Sequence, residues 1–251
     1  MVWAVFGVLF ALDMVFATLY IKYGLPKVTK KSYCFKMFAS GLFVVNGLIG
    51  YFVYNNGIFA KWVLLGLVFG CLGDIVIALE PFIKEGENKK KNNTIAVVCG
   101  GVLFFIGHLL YIVAFVKELS ITDSFIPALY FGIVGGIVVI AFIAFTLSKL
   151  SMGKFAIPIL IYAIAITSMF ALSVNIAVTN TTGGLLFKIV MVVAPLFFVI
   201  SDTTIVFRFF DKEKFETYPM RIVNLGTYFI AQMLFGLAIY IANNNYAVVC
   251  N

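Results

Sequence analysis

The sequence predicts an all-α protein, a polytopic membrane bundle of eight transmembrane helices that form a single integral membrane domain over residues 1–251. Three observations lead to this prediction. The composition is 63% hydrophobic and only 12% charged, which excludes an ordinary water-soluble globule. Apolar runs of about 20 residues, the length needed to cross a bilayer, recur along the whole chain. The basic residues cluster at alternate ends of these runs, as they do in multi-pass proteins.

Charged or turn-forming residues separate the apolar runs. The first run has no basic leader and no convincing small-residue cleavage site, so we expect it to be retained as a helix. Eight helices leave only about 90 residues for termini and connections, too few for a sizeable soluble domain. The predicted spans are residues 2–22, 36–54, 61–80, 95–116, 125–147, 155–176, 185–207 and 222–242.

The distribution of Lys and Arg predicts the orientation of the bundle. Fifteen of the 18 basic residues belong to the first, third, fifth and seventh connections, and the other three are Lys61, Lys117 and Lys188. Because basic residues of short loops stay on the cytoplasmic side, both termini are predicted to face away from the cytoplasm. The net charge of +7 follows from these basic residues, which set the topology and lie near anionic lipid headgroups. The lipid bilayer is therefore the expected partner, and no nucleic acid is needed.

The two halves of the chain resemble each other, with Asp74 aligned on Asp202 and His108 aligned on Gln232. This similarity predicts two parallel four-helix halves, residues 1–122 and 123–251, related by an axis along the membrane normal. Chance similarity between apolar helices is the alternative, but it does not account for the matched polar residues. The aligned segments are residues 104–115 with 228–239, and residues 73–82 with 201–210.

Polar residues within the predicted spans are the candidates for function. An ionisable group in the hydrocarbon costs a few kcal/mol, so each such group is expected to face protein, water or substrate. By helical rise, Asp74 and Asp202 both lie about 9 Å inside the cytoplasmic boundary. His108 and Gln232 lie about 14 to 17 Å from a boundary, near the midplane. Together these four residues predict a polar pocket that runs from the cytoplasmic side to the bilayer centre.

Helical spacing adds hydroxyl groups to the same faces. Tyr111 lies three residues after His108, Tyr228 lies four residues before Gln232, and Ser201 adjoins Asp202. Structural roles remain open for other polar positions. Asp13 is expected either to pack between helices or to line a cavity. Asn46 and Asn175 are expected to form hydrogen bonds between helices. Gly66, Gly70 and Gly73 are expected to let another helix approach closely before Asp74.

Two carboxyl groups that interact tend to share one proton, so one can act as an acid while the other is a base. Such a pair is suited to hydrolysis of a bond placed between them, or to proton movement in a transporter. The residues alone do not separate these two functions. The sequence lacks GxSxG, HExxH and Walker A signatures, and its single histidine and scattered cysteines predict neither a metal site nor a cofactor.

Four separated motifs give a more specific indication. In their order and residue types they resemble the YhhN family of eight-span membrane proteins, which includes lysoplasmalogenases. The resemblance covers about residues 65–240, while the first 60 residues match in hydropathy alone. Ala194-Pro195 departs from the expected pattern and predicts a kink in the seventh span. The motifs are residues 70–74, 101–111, 198–202 and 228–232.

The resemblance implies hydrolysis of the vinyl ether bond of lysoplasmalogen, a lysophospholipid, to a fatty aldehyde and glycerophosphoethanolamine or glycerophosphocholine. It also implies that Asp74 and Asp202 are the catalytic pair. The residues implied to line the substrate site are His108, Tyr111, Ser201, Tyr228 and Gln232. Basic residues at the cytoplasmic ends of the helices, such as Arg208 and Arg221, are suited to hold the phosphate.

Two other interpretations remain. A proton-coupled transporter of lipids or small solutes would use the same pair of aspartates, and a membrane scaffold would use neither for chemistry. A proton-coupled transporter and a hydrolase differ in an observable way, since only the hydrolase releases an aldehyde.

Overall fold

The computed structural model describes residues 2–24, 28–83, 86, 88–148, 153–180 and 184–242. These residues form an all-α bundle without a strand, and eight of its helices are long and apolar enough to cross a membrane. The predicted fold class is therefore confirmed. The helices are α1 (Val2–Tyr23), α2 (Lys30–Ile49), α3 (Ile58–Ile77), α4 (Lys89–Thr122), α5 (Pro127–Ser148), α6 (Ala156–Thr179), α7 (Leu185–Phe210), the short α8 (Lys212–Phe215) and α9 (Tyr218–Ile241).

The second helix begins earlier than its hydropathy predicts. Thr29 is its N-cap, and the side chains of Thr29 and Ser32 form a reciprocal capping box that starts α2 at Lys30. The span was predicted to begin at Lys36, because the lysines before it were assigned to a loop. The capping box instead places Lys36 inside the helix, and a π-helical turn over Gly50–Tyr54 extends the same span to the opposite side.

The orientation of the bundle remains a prediction, since the helices alone do not define which side is cytoplasmic. Lys27, Lys84 and Lys149, which belong to the predicted basic connections, lie outside the described residues, as do residues 243–251.

Helix α9 occupies the centre of the bundle. It packs against α1, α2, α3 and α7, and its membrane span is the most buried of the eight. Helix α5 lies at the periphery, where it packs against α6. Consecutive helices also pack together in each half, but short connections produce such pairs in any bundle. The duplication over residues 1–122 and 123–251 therefore remains a prediction.

Hydrogen bonds between helices attach α9 to its neighbours. Asn46 Nδ2 donates to the Met233 carbonyl at 3.1 Å, and the Tyr240 hydroxyl donates to the Asn46 carbonyl at 3.0 Å. On the other side of the bundle, Asn175 Oδ1 accepts from the backbone amide of Ile126 at 2.8 Å, just before α5 begins. The predicted role of Asn46 and Asn175 in joining helices is confirmed.

We predict that Asn46→Ala lowers the stability of the bundle by about 1 kcal/mol, because the α2 to α9 hydrogen bond is lost within the membrane. Thermal unfolding of the purified protein in detergent measures this change. Ser120→Ala is the matched control, since the exposed Ser120 hydroxyl bonds only to the Val116 carbonyl of its own helix. Equal melting temperatures for the two variants would contradict the prediction.

Candidate functional site

A buried ion pair lies at the centre of the predicted site. Asp74, on α3, is 1% exposed, and its Oδ1 lies 2.9 Å from Lys36 Nζ. Its Oδ2 accepts hydrogen bonds from Ser40 Oγ at 2.6 Å and from the Tyr228 hydroxyl at 2.7 Å. Three donors, one of them a cation, therefore hold Asp74 as a carboxylate inside the bundle.

Helix geometry explains how α2 supplies two of these donors. Lys36 and Ser40 are four residues apart, so their side chains lie on the same face of α2. Lys36 is 4% exposed, and its ammonium lies over the Tyr20 ring of α1 at 5.6 Å from the centroid. Since a buried lysine without a partner is strongly disfavoured, the placement of Lys36 depends on Asp74 and on the ring of Tyr20.

A chain of hydrogen bonds leads from Asp74 towards the midplane of the bundle. The Tyr111 hydroxyl donates to Gln232 Oε1 at 2.9 Å, and Gln232 Nε2 donates to the Tyr228 oxygen at 3.1 Å. Because Tyr228 in turn donates to Asp74, all the donors in this chain point towards the carboxylate. The structure thus brings Asp74 together with three of the predicted site residues.

The glycines of α3 make room for this chain. A Cβ atom at Gly66 would overlap the Tyr111 ring, and one at Gly70 would overlap the Gln232 amide. A Cβ atom at Gly73 would lie tightly against the Phe104 ring. The close approach expected at these glycines is confirmed, and its consequence is that polar side chains of α4 and α9 can reach α3.

Asp202, on α7, belongs to a separate set of contacts. Its Oδ2 accepts a hydrogen bond of 2.5 Å from the Tyr162 hydroxyl of α6 and lies 3.7 Å from His108 Nε2. The Asp202 side chain is 15% exposed, whereas the Asp74 side chain is 2% exposed. The adjacent Ser201 also hydrogen bonds to this carboxyl, and Ser201 is held by Asn224 Nδ2 at 3.0 Å.

His108 faces Asp202 with its unpartnered ring nitrogen. Its Nδ1 lies 2.7 Å from the Phe104 carbonyl, and because a carbonyl only accepts, Nδ1 carries the hydrogen. Nε2 is buried without a hydrogen-bond partner among the described residues, and 3.7 Å separates it from the Asp202 carboxyl. A proton that moves between these two groups would need only a small shortening of this distance.

The two aspartates do not contact each other. Within the described residues, no hydrogen bond or ion pair joins Asp74 to Asp202, and each has its own partners. The aromatic ring of Phe198 lies between the two groups, 5.2 Å from the His108 ring and 5.8 Å from the Tyr228 ring by centroid. The expected arrangement, in which the two carboxyls meet and share one proton, is therefore not the one observed.

Arg208 lies in the last turn of α7, but it is engaged by protein groups. It forms a bidentate pair with Glu216, at 3.1 and 2.7 Å, and donates to Asn224 Oδ1 at 2.6 Å. Arg221 shares the same Glu216 carboxylate at 3.7 Å and lies over the Tyr20 ring. Its buried Nε has no hydrogen-bond partner in the described part of the chain. Of the two arginines expected to hold a phosphate, Arg221 has the freer guanidinium.

Sequence reasoning missed Lys36, Ser40 and Tyr162. Lys36 was counted as a loop charge, although its four-residue spacing from Ser40 on an apolar helix was a usable signal. Tyr162 is one of 12 tyrosines, and no spacing distinguishes it from the others. The predicted kink at Pro195 is not tested by the contacts, but α7 is helical on both sides of this residue.

The fold and these contacts define a polytopic membrane protein with a buried ion pair and a hydrogen-bond chain in its core. Residues 31–239 match the model of the YhhN family, so the chain belongs to the YhhN family. No curated protein and no solved structure matches the chain. The matched region contains both aspartates and Lys36, whereas α1 precedes it.

We predict that Lys36→Met destabilises the protein by about 3 to 5 kcal/mol, because it leaves the Asp74 carboxylate buried without a counter-charge. Combining it with Asp74→Asn should restore most of this loss, since the buried charge is then gone. Lys61→Met, at an exposed position in the first turn of α3, is the matched control. Thermal or denaturant unfolding of the wild type, the Lys36→Met and Asp74→Asn single variants and the double variant measures the coupling, and additive effects would contradict it.

We predict that Gly70→Ala displaces the Gln232 amide and lowers stability by about 1 to 3 kcal/mol, because the new methyl group overlaps that side chain. At Gly101, on α4, an added Cβ has no atom within 4 Å, so Gly101→Ala should leave stability unchanged or raise it slightly. Comparison of the two unfolding midpoints tests whether the hydrogen-bond chain depends on glycine at this position.

Proposed function

We propose that this protein is a membrane-embedded hydrolase that cleaves the vinyl ether bond of lysoplasmalogen. The products are a fatty aldehyde and glycerophosphoethanolamine or glycerophosphocholine. Membership of the YhhN family supports a reaction of this class. The observation that carries the proposal is the buried Asp74 carboxylate, whose hydrogen-bond chain through Tyr228 and Gln232 ends at Tyr111. The ring of Tyr111 lies 6.5 Å by centroid from the ring of His108, which faces Asp202.

The reaction needs an acid and a base at different times. Hydrolysis of a vinyl ether begins when a proton is delivered to its carbon, which produces an oxocarbenium-like cation. A nearby carboxylate stabilises this cation and accepts a proton from the water that attacks it. The resulting hemiacetal collapses when the glycerol oxygen is protonated and the hemiacetal hydroxyl loses its proton.

The contacts favour different roles for the two aspartates. Asp74 is paired with Lys36, so in this proposal it is the carboxylate that stabilises the cation and takes the water's proton. Asp202 has no lysine or arginine partner among the described residues and lies next to His108, so it delivers the first proton. In the collapse of the hemiacetal, Asp74 returns a proton to the glycerol oxygen and Asp202 recovers one, which balances the cycle.

The surrounding side chains are suited to a single-chain lipid. The aromatic rings of Tyr111, Phe198 and Phe235 pack together in the buried core beside the polar chain. In this proposal they part to admit the hydrocarbon chain and then form an apolar wall around it. The headgroup would lie towards the cytoplasmic ends of α7 and α9. There Arg221 replaces Arg208 as the group proposed to bind the phosphate, because Arg208 is occupied by Glu216.

One observation favours the second candidate, a proton-coupled transporter. The hydrogen-bond chain from Tyr111 to Asp74 has every donor pointing in one direction, towards a buried carboxylate of the kind that serves proton movement in transporters. This chain would serve a transporter as well as a hydrolase.

We predict that Asp74→Asn and Asp202→Asn each reduce aldehyde release from lysoplasmalogen by about 100-fold or more, because each removes an acid–base group. Aldehyde released by the purified protein in detergent is the measurement. Asp123→Asn is the matched control, since Asp123 is an exposed residue with positive φ at the end of α4, a conformation that asparagine tolerates.

Two outcomes would overturn the hydrolase proposal. One is wild-type activity in both aspartate variants. The other is no aldehyde release from lysoplasmalogen or other ether lipids by the wild-type protein, and proton-dependent uptake of solute into liposomes would then support the transporter.

A further inference from the structure

A third buried carboxyl lies beside the site and has no role in the proposed reaction. Asp13 is 0% exposed, although it is on α1, a helix that is otherwise mainly lipid-facing. Neither of its carboxyl oxygens has a hydrogen-bond partner among the described residues. An unpartnered carboxylate at this depth would cost several kcal/mol, so its burial requires a compensating group.

The buried face of α1 directs Asp13 towards the site. The buried positions Asp13, Ala17 and Tyr20 are spaced by four and three residues, so they form one stripe along the helix. Tyr20 lies between two cations, with Lys36 at 5.6 Å and Arg221 at 5.5 Å from its ring centroid. Asp13 is two turns, or about 10 Å, further along the same stripe.

Asp13 shares its buried stripe with Tyr20, whose ring lies under Lys36, the ion-pair partner of Asp74, whereas Asp202 has separate partners. Asp74 already has Lys36, Ser40 and Tyr228 as donors, while Asp13 has none. Two neighbouring carboxyls in these unequal surroundings hold a single proton, and the one without donors is the one that carries it. The charged and titratable groups around the pair are Tyr20 of α1, Lys36 of α2, Cys71 of α3, and Arg221 and Tyr228 of α9.

We propose that Asp13 carries a proton and exchanges it with Asp74, so that these two carboxyls, rather than Asp74 and Asp202, are the proton-sharing pair of the protein. The use of this pair in lysoplasmalogen hydrolysis rests on the proposed function, but the proton on Asp13 does not. Asp13, on α1, precedes residues 31–239, the region that matches the family model.

The proton balance of the proposed reaction accommodates this pair. At rest the pair holds one proton, on Asp13. It holds two after Asp74 has taken a proton from the attacking water, and it returns to one when a proton passes to the glycerol oxygen of the hemiacetal. In each exchange an O–H bond on one carboxyl breaks as an O–H bond forms on the other. Asp13 acts through Asp74 and is therefore a positioning residue.

Infrared spectroscopy of the purified protein tests the proton directly, because a protonated carboxyl has a carbonyl band distinct from that of a carboxylate. The measurement uses the Asp202→Asn variant, because the acid proposed at Asp202 would contribute a band of its own. With aspartate labelled by ¹³C at its side-chain carboxyl carbon, we expect this variant to show an acid band that shifts with the label. Adding Asp13→Asn should remove the band, whereas adding Asp13→Glu instead should keep an acid band that no longer shifts. An unchanged acid band after Asp13→Asn is added would overturn the proposal.

The pH profile of aldehyde release tests the exchange with Asp74. We expect Asp13→Asn to lose about 100-fold in activity with an altered profile, and Asp13→Glu to recover part of the activity, because only glutamate keeps a proton-carrying group. A wild-type profile in Asp13→Asn would overturn the exchange. If the wild-type protein releases no aldehyde, the proposed function fails, while the infrared result still decides whether Asp13 is protonated.

Discussion

The buried ion pair between Lys36 and Asp74 is the interaction on which the rest of the structure depends. Removing two charges from water is costly, and their attraction compensates only when further hydrogen bonds complete the geometry. Ser40 and Tyr228 supply these bonds from α2 and α9, and the Tyr20 ring covers the lysine from α1. Four helices are thus held in register by one carboxylate, and the hydrogen-bond chain towards Tyr111 is built outward from it.

The ion pair also gives the hydrogen-bond chain a single direction. Because Asp74 is fixed as an acceptor, Tyr228 must donate to it, Gln232 must donate to Tyr228, and Tyr111 must donate to Gln232. Asp202 is not part of this order and retains a carboxyl that can give or take a proton with His108 nearby. One carboxyl is held by a cation and two hydroxyl donors and the other has no cation beside it, and this difference makes acid–base chemistry a reasonable function for the core.

The sequence was sufficient for the fold class, the number of spans and the polar faces, because hydropathy and helical spacing are local properties of the chain. It placed Tyr111, Tyr228 and Gln232 near Asp74, and α3 glycines at close helix contacts. It failed for Lys36, since a charge at a predicted helix end looks like a loop residue until capping by Thr29 is recognised. It also failed for the partners of the aspartates, because equivalent positions in two similar segments do not determine which helices pack together. That information is in the packing of α1, α2, α6 and α9.

The central position of α9 has a consequence for biogenesis. Spans enter a membrane in chain order, so α1 to α7 must be accommodated in lipid before α9 arrives with Tyr228 and Gln232. During that interval the lysine and aspartate of the first half have only Ser40, the Tyr20 ring and each other. The early pair therefore makes a partly inserted chain tolerable, and the hydrogen-bond chain around Asp74 is complete only when the eighth span docks.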